Sequence, residues 1–281
     1  VIQILSWNIQ CGFGIDGRMD LERTATVIKE MADFEVICLQ EISKFDELAG
    51  CADQVEKISS YFPTHEVFFG AAINRLNSGY STRYQFGNLI LSRVPVIQSF
   101  HYQLPQPRPG SVCKHMPRQA LEIVISTENG PLRVTTTHLE YHSESQRIEQ
   151  ARKLTDIQFE VYSNLDYSSH APESGPYAAV ERPIDSILCG DFNSAPRDNV
   201  FETIVASKNR EWGYQDAWGL AHENQLHPAT CGIFDHKQWP EGPHCRDYFF
   251  VAGSITTRKL NVFVQSETDA SDHQPIMLTV S

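Results

Sequence analysis

Ser186-Ile187-Leu188-Cys189-Gly190-Asp191-Phe192-Asn193-Ser194-Ala195-Pro196 sets a short apolar run against an abrupt polar stop. Ser186 to Cys189 reads as a buried strand. The strand is expected to end at Gly190, and Pro196, which has no backbone N–H, prevents its continuation. Asp191 and Asn193 are two residues apart, so a strand's period of two places their side chains on one face. An acid beside an amide at the end of a rigid strand suits the positioning of a water and of an oxyanion.

Working outward, the same arrangement recurs. Residues 1–8 alternate and close on Ser6-Trp7-Asn8, a first strand. Gly12 to Gly17 is a loop, and Asp20 is an N-cap for a helix whose inner face is Leu21, Ala25, Ile28 and Ala32. Val36-Ile37-Cys38-Leu39 is a buried strand that delivers Gln40 and Glu41. Residues 47–61 read as a second helix with Leu48, Val55 and Ile58 inward. Residues 65–105 read as successive strands. Residues 105–117 hold four prolines and a glycine, a loop long enough to serve function. Residues 120–126 and 132–139 pair as a hairpin across Glu128-Asn129-Gly130. Ser143 with Gln146 resembles a capping box opening a helix with Ile148, Ala151, Leu154, Val161 and Leu165 inward. Residues 168–183, broken by three prolines and Gly175, read as a surface loop rather than a domain linker, because strands and helices resume after them. A short helix over 199–207, a loop-rich stretch over 216–242 and three closing strands follow.

About ten strands and four helices result. Ten strands are too many for one simply wound parallel sheet. Several are continuous apolar runs, which need cover on both faces. The expected fold is therefore α/β (α+β), a four-layer α-β-β-α sandwich of two packed mixed sheets, as one domain over 1–281.

Composition limits the partners. A 41% hydrophobic content supplies a full core, and no apolar run approaches the roughly 20 residues that span a bilayer, so no transmembrane segment is expected. No signal-peptide pattern is visible; the chain begins at Val1 without Met, so a trimmed start is expected. A net charge of −12 opposes a large phosphate-tracking surface for duplex DNA. Seven scattered cysteines without a C-x-x-C pair point to a reducing, cytoplasmic compartment. Cys231 and Cys245 are the one loop pair placed for a bridge, with the unbridged state expected.

Polar residues cluster at the strand ends: Asn8, Glu41, His138, Asp191 with Asn193, and Asp272 with His273, while Asp247 opens another strand. Singly, each has a plain structural reading: a solvated edge acid, a satisfied core histidine, a turn. Together they repeat one pattern. Ser6-Trp7-Asn8-Ile9, Leu39-Gln40-Glu41, Gly87-Asn88-Leu89-Ile90-Leu91-Ser92-Arg93, Thr137-His138-Leu139, Gly190-Asp191-Phe192-Asn193, Asp247-Tyr248-Phe249-Phe250 and Ser271-Asp272-His273-Gln274-Pro275 occur in this order. That set resembles the endonuclease/exonuclease/phosphatase superfamily, the DNase I-like phosphohydrolases, over almost the whole chain.

The resemblance implies roles for matching positions. Glu41 would hold a divalent metal, Mg2+ with Mn2+ as the alternative, supported by Asn8 and Asp272. Asp191 would orient and deprotonate the attacking water, and Asn193 would fix Asp191 and donate to a phosphate oxygen. His138 and His273 would donate to non-bridging oxygens, with Asp247 fixing the tautomer of His273. Two positions depart from the abasic-site endonucleases: Gln10 stands where those enzymes carry an acid, and Gln85, between Tyr84 and Phe86, where they carry an aromatic. Arg118 is a candidate phosphate ligand. Arg75, Arg83 and Arg108 could line a small basic rim. His222, His227, His236 and His244 lack zinc spacing, and Trp212, Trp218 and Trp239 are expected in core or loop-anchoring roles.

The expected function is a Mg2+-dependent phosphoesterase acting by water attack on a phosphodiester or phosphomonoester of small-molecule, lipid-headgroup or other non-duplex type. The alternative is a DNA or RNA nuclease with a local basic groove. A non-catalytic binding module is the third reading, opposed by the filled chemical positions.

Overall fold

The computed structural model describes residues 1–77, 79, 81–165, 174–179, 182–207, 209 and 211–281. In chain order the elements are β1 (Ile2–Asn8), α1 (Leu21–Met31), β2 (Val36–Lys44), α2 (Gln54–Ser59), β3 (Glu66–Leu76), β4 (Arg83–Ser92), β5 (Val96–Gln103), β6 (Gln119–Thr127) and β7 (Gly130–His138). There follow α3 (Glu144–Ser163), β8 (Ser186–Asp191), α4 (Asn199–Val205), β9 (Gln215–Asp216), α5 (Ala217–Ala221), β10 (Asp247–Ala252), β11 (Leu260–Val264) and β12 (Ile276–Val280).

Among the described residues the strands form two six-stranded mixed sheets, ordered β11-β12-β1-β2-β4-β3 and β5-β6-β7-β8-β10-β9. Position by position the two orders match: a hairpin, a parallel pair joined through a helix, then a second antiparallel pair. The parallel pairs are β1 with β2 and β7 with β8, crossing over through α1 and α3.

The apolar runs are continuous because both strand faces are covered. Ile4, Val36 and Cys38 of the first sheet share a core with Ile123, Val134, Ile187, Cys189 and Phe249 of the second. Their neighbours point the other way. Leu5, Ile37 and Leu39 pack under Leu21, Ala25 and Ile28 of α1. Leu188, Tyr248 and Phe250 pack under Ala151 and Leu154 of α3 and Phe201 and Ile204 of α4. The result is the helix-sheet-sheet-helix layering expected from the strand patterns.

Several local expectations are corrected. The expected helix over 47–61 shrinks to α2, capped by Asp53, which accepts from the Glu56 N–H at 3.1 Å. Upstream, the Asp46 carboxylate accepts from the Leu48 N–H at 2.9 Å and its carbonyl from the Cys51 N–H. That local turn competes with a helix, and it leaves Leu48 89% exposed instead of inward. Leu165 lies beyond the end of α3 and is exposed, because the helix stops at Ser163. Ser143 caps α3, but Gln146 donates to Pro107 O at 2.5 Å instead of completing a capping box; the side chain is spent on tying down the proline-rich loop. The stretch 216–242 contains α5, capped by Asp216. The loop expected over 168–183 lies largely outside the described residues.

Candidate active site

Four of the expected residues are set by the two crossovers. Asn8 and His138 close the first strand of each parallel pair, and Glu41 and Asp191 lie at the C-terminal part of the second. Carboxyl ends of parallel strands, where crossover loops part, are where α/β sheets place ligands. Because the two sheets are packed face to face, the ends converge. The Asn8 amide spans them, donating to Glu41 Oε1 at 3.1 Å and to Asp191 Oδ2 at 3.0 Å.

Two backbone details aim these groups. β2 does not end at Glu41 as expected. It runs on to Lys44 through a register shift between Leu39 and Ile42, with Glu41 at φ 60°. A bulge re-aims a side chain that the pleat would otherwise place differently. Asp191 and Asn193 do converge, but not by strand period. Asn193 has φ 49°, and its N–H folds back onto Asp191 Oδ1 at 2.8 Å. Gly190 precedes them at φ 137°, where a Cβ would stand 1.9 Å from Thr137 O.

Asp247 and His273 form a buried acid–imidazole pair, with Asp247 Oδ2 2.8 Å from His273 Nδ1. The Thr230 hydroxyl donates to the same oxygen at 2.6 Å. Burial by itself lowers the His273 pKa. Asp247, Asp191 and Asp272 around it outweigh that and hold the ring well above its ordinary range, as a cation. His273 Nε2 faces Asp191 Oδ2 at 3.6 Å.

His138 is the opposite case. Burial, with Arg118 nearby, pushes its pKa down to about 3. The neutral ring accepts from the Asn193 amide at Nε2, at 3.0 Å, so the proton sits on Nδ1. That Nδ1 is buried without a hydrogen-bond partner. Burial also raises Asp191, but the His273 cation and the Asn193 and Asn8 donors bring it below the ordinary carboxylate range.

The remaining acids form an electrostatic excess. Burial, and then Asp272, raises Glu41 to about 7, and burial raises Asp272. A half-buried Glu41 and a buried Asp272 that repel each other, with oxygen donors only, fit a hard divalent cation such as Mg2+. Asp191, Asp247 and His273 also place ligand atoms within 4.8 Å of one another. This buried cluster is a second place in the site with the donor atoms to hold a cation. Arg118 is buried, its Nε 3.4 Å from Glu140 Oε2 and its Nη1 without a partner.

A cleft of about 200 Å3 collects Asn8, Glu41, Arg118, His138, Asp191, Asn193, Asp272 and His273. Asp247 lies behind His273. Phe86, not Tyr84, lines the cleft; Tyr84 sits under Arg75. The Gln10 N–H donates to Asn8 Oδ1 at 3.1 Å, and the Gln10 side chain is not among the lining groups. Arg75, Arg83 and Arg108 also stay out of the cleft wall. Trp212 and Trp218 pack at a tilt against Phe159 and His222, while Trp239 lines the cleft. All seven cysteines are free, so the 231–245 pair is unbridged. Thr230, Tyr141 and Arg246 have no motif signal: their contacts join loops distant in sequence, and only a hydroxyl or ring at the right distance would have betrayed them.

A profile of the Endonuclease/Exonuclease/phosphatase family matches residues 5–273. A search of curated proteins finds no significant match. Among solved structures, an endonuclease/exonuclease/phosphatase from Beutenbergia cavernae DSM 12333 is similar at TM-score 0.69 and 19% identity, over 99% of this chain and 71% of that one. A mannosyl-6-phosphatase from Bacteroides thetaiotaomicron VPI-5482 is similar at TM-score 0.67 and 17% identity, over 100% of both chains. TDP2 from Caenorhabditis elegans is similar at TM-score 0.64 and 18% identity, over 99% of this chain and 74% of that one. At these identities the structural likeness is one of fold, and the profile match is what carries kinship: the chain belongs to the endonuclease/exonuclease/phosphatase family.

Proposed function

We propose that this protein is a divalent-cation-dependent phosphoesterase that hydrolyses a small or non-duplex phosphate ester by direct water attack. The observation that carries the reading is the meeting, in one cleft, of Asp191, His138 and His273 beside Glu41 and Asp272, with the Asn8 amide bonded to both Glu41 and Asp191.

In this reading Glu41 and Asp272, with Asn8 between Glu41 and Asp191, would hold Mg2+, which would supply charge to polarise the phosphate and stabilise the leaving oxygen. Asp191, fixed by the Asn193 N–H and the Asn8 amide, orients the water and takes its proton. The His273 imidazolium, held by Asp247, donates to a non-bridging oxygen as charge builds. His138 donates from its unpartnered Nδ1, and its Nε2 is occupied by Asn193. Arg118 offers its unpartnered Nη1 to the phosphate. Phosphoryl transfer asks mainly for such positioning and charge cancellation.

The test is hydrolysis by chelated enzyme given back Mg2+ or Mn2+, read as the released alcohol or chromophore from mono- and diesters and a lipid-headgroup ester, and as shortened strands from single-stranded RNA and duplex DNA. Cation-dependent turnover of a small ester, abolished in Asp191→Asn, is expected. Activity confined to duplex DNA would overturn the substrate class.

A further inference from the structure

We infer that the cleft carries a leaving-group subsite for a compact, uncharged ring alcohol, built on Tyr141 and held in place by Arg246. The inference rests on the phosphoesterase reading and adds the chemistry of the group on the far side of the phosphate. Beyond the residues assigned to metal and phosphate, the cleft wall consists of Phe86, Met116, Tyr141, Gln238 and Trp239. None of these carries a charge. Apolar and aromatic walls with one amide are the usual lining for a neutral organic group. Tyr141 is 37% exposed at this wall, and its ring meets Trp239 edge-on at 5.8 Å and 72°.

The nearby cation is not free to read a second phosphate. The Arg246 guanidinium lies 4.7 Å from the Trp239 ring and 5.7 Å from the Tyr141 ring. Its Nε donates to His244 Nε2 at 2.7 Å, and His244 Nδ1 donates to Gly242 O at 2.7 Å, which fixes that tautomer. Its terminal nitrogens face Asn193 Oδ1 at 3.5 Å and Glu241 Oε1 at 3.8 Å. Arg246 is thus a positioning residue: it joins the aromatic wall to Asn193. Its charge is engaged by rings, an imidazole and an acid. The cleft volume of about 200 Å3 lies below the roughly 300–1,000 Å3 of pockets for drug-sized ligands.

Steady-state kinetics of the Mg2+-loaded enzyme on phenyl phosphate, a hexose phosphate, glycerol phosphate and a hexose bisphosphate test the subsite. The ring monoesters are expected to have the higher kcat/KM. Tyr141→Ala should raise KM for them by about 3- to 10-fold, the worth of one aromatic contact, with a smaller rise for glycerol phosphate. Tyr141→Phe, which keeps the ring, should restore the KM. An equal rise for every ester, failure of Tyr141→Phe to restore, or a preference for the bisphosphate would overturn the subsite. Turnover of no ester at all would count against the phosphoesterase reading instead. The subsite is then read by calorimetric titration of phenyl phosphate against inorganic phosphate. Selective weakening of phenyl phosphate in Tyr141→Ala supports it, and equal affinities in both proteins reject it.

Discussion

At the residue scale, the site depends on amides and backbone as much as on its acids. The Asn193 amide donates to His138 Nε2 and to Leu139 O, and its N–H to Asp191. Asn193→Ala keeps the backbone donor and removes the other two. A kcat loss of about 10- to 100-fold is expected, the scale of one lost orienting partner behind an active-site group, read in the metal-dependent ester assay. Gly190→Ala tests the backbone. Its φ of 137° and the 1.9 Å approach to Thr137 O leave no place for a methyl group. Loss of more than about 3 kcal/mol in urea unfolding is expected, since strained backbone and overpacking add. A stable Gly190→Ala protein would show that β8 can slide from β7. Glu41 yields a prediction of opposite signs. Glu41→Gln keeps an acceptor for the Asn8 amide but removes the repulsion with Asp272. The cation-free variant should melt higher than the cation-free parent and gain less from Mg2+.

At the element scale, short connectors decide whether the strand ends meet. The buried Gln54 of α2 accepts from the Ser43 N–H at 3.0 Å and donates to Cys11 O at 2.7 Å. It therefore pins the far end of β2, just past the Glu41 bulge, to the turn that follows Asn8. Gln54→Ala should cost about 1–3 kcal/mol for the unsatisfied groups it leaves, and it should weaken Mg2+ binding by calorimetry without touching a ligand. Unchanged affinity would separate α2 from the site. The element boundaries also show where local reading stops. Asp20 as the cap of α1, the Asn129-Gly130 turn and the closing strands all follow from nearest neighbours in sequence. Leu48 does not: its apolar character suits a helix face, but the hydrogen bonds of Asp46 close a turn first.

At the scale of the whole molecule, the termini interleave. β1 pairs with both β2 and β12, so the first and last strands share a sheet, and one core is common to both sheets. We propose that the chain unfolds as a single unit. Far-UV circular dichroism and tryptophan fluorescence should give coincident urea transitions, and separate transitions would mean two domains. Removing the divalent cation should lower the melting temperature by about 4 to 8 °C relative to protein with a 100-fold excess of Mg2+ over its dissociation constant. That follows from roughly 2.7 kcal/mol of linked binding. Among the described residues no helix is long and apolar enough to cross a membrane.

The sequence by itself determined the layering and the chemical inventory. Continuous apolar runs such as Val36 to Leu39 and Ile187 to Cys189 require cover on both faces, and each is followed within a few residues by a polar group that a core cannot hold unpaired. It also carried the pairing of roles, because residue type limits what Asp191 or His273 can do. Tertiary structure alone decided which groups touch. The Glu41 bulge, the left-handed turn at Asn193, the Thr230 bond to Asp247 and the Tyr141–Arg246–Trp239 wall all depend on contacts between segments that lie far apart in the chain. Local periodicity holds no term for such contacts, since their free energy exists only once the two sheets have closed on each other.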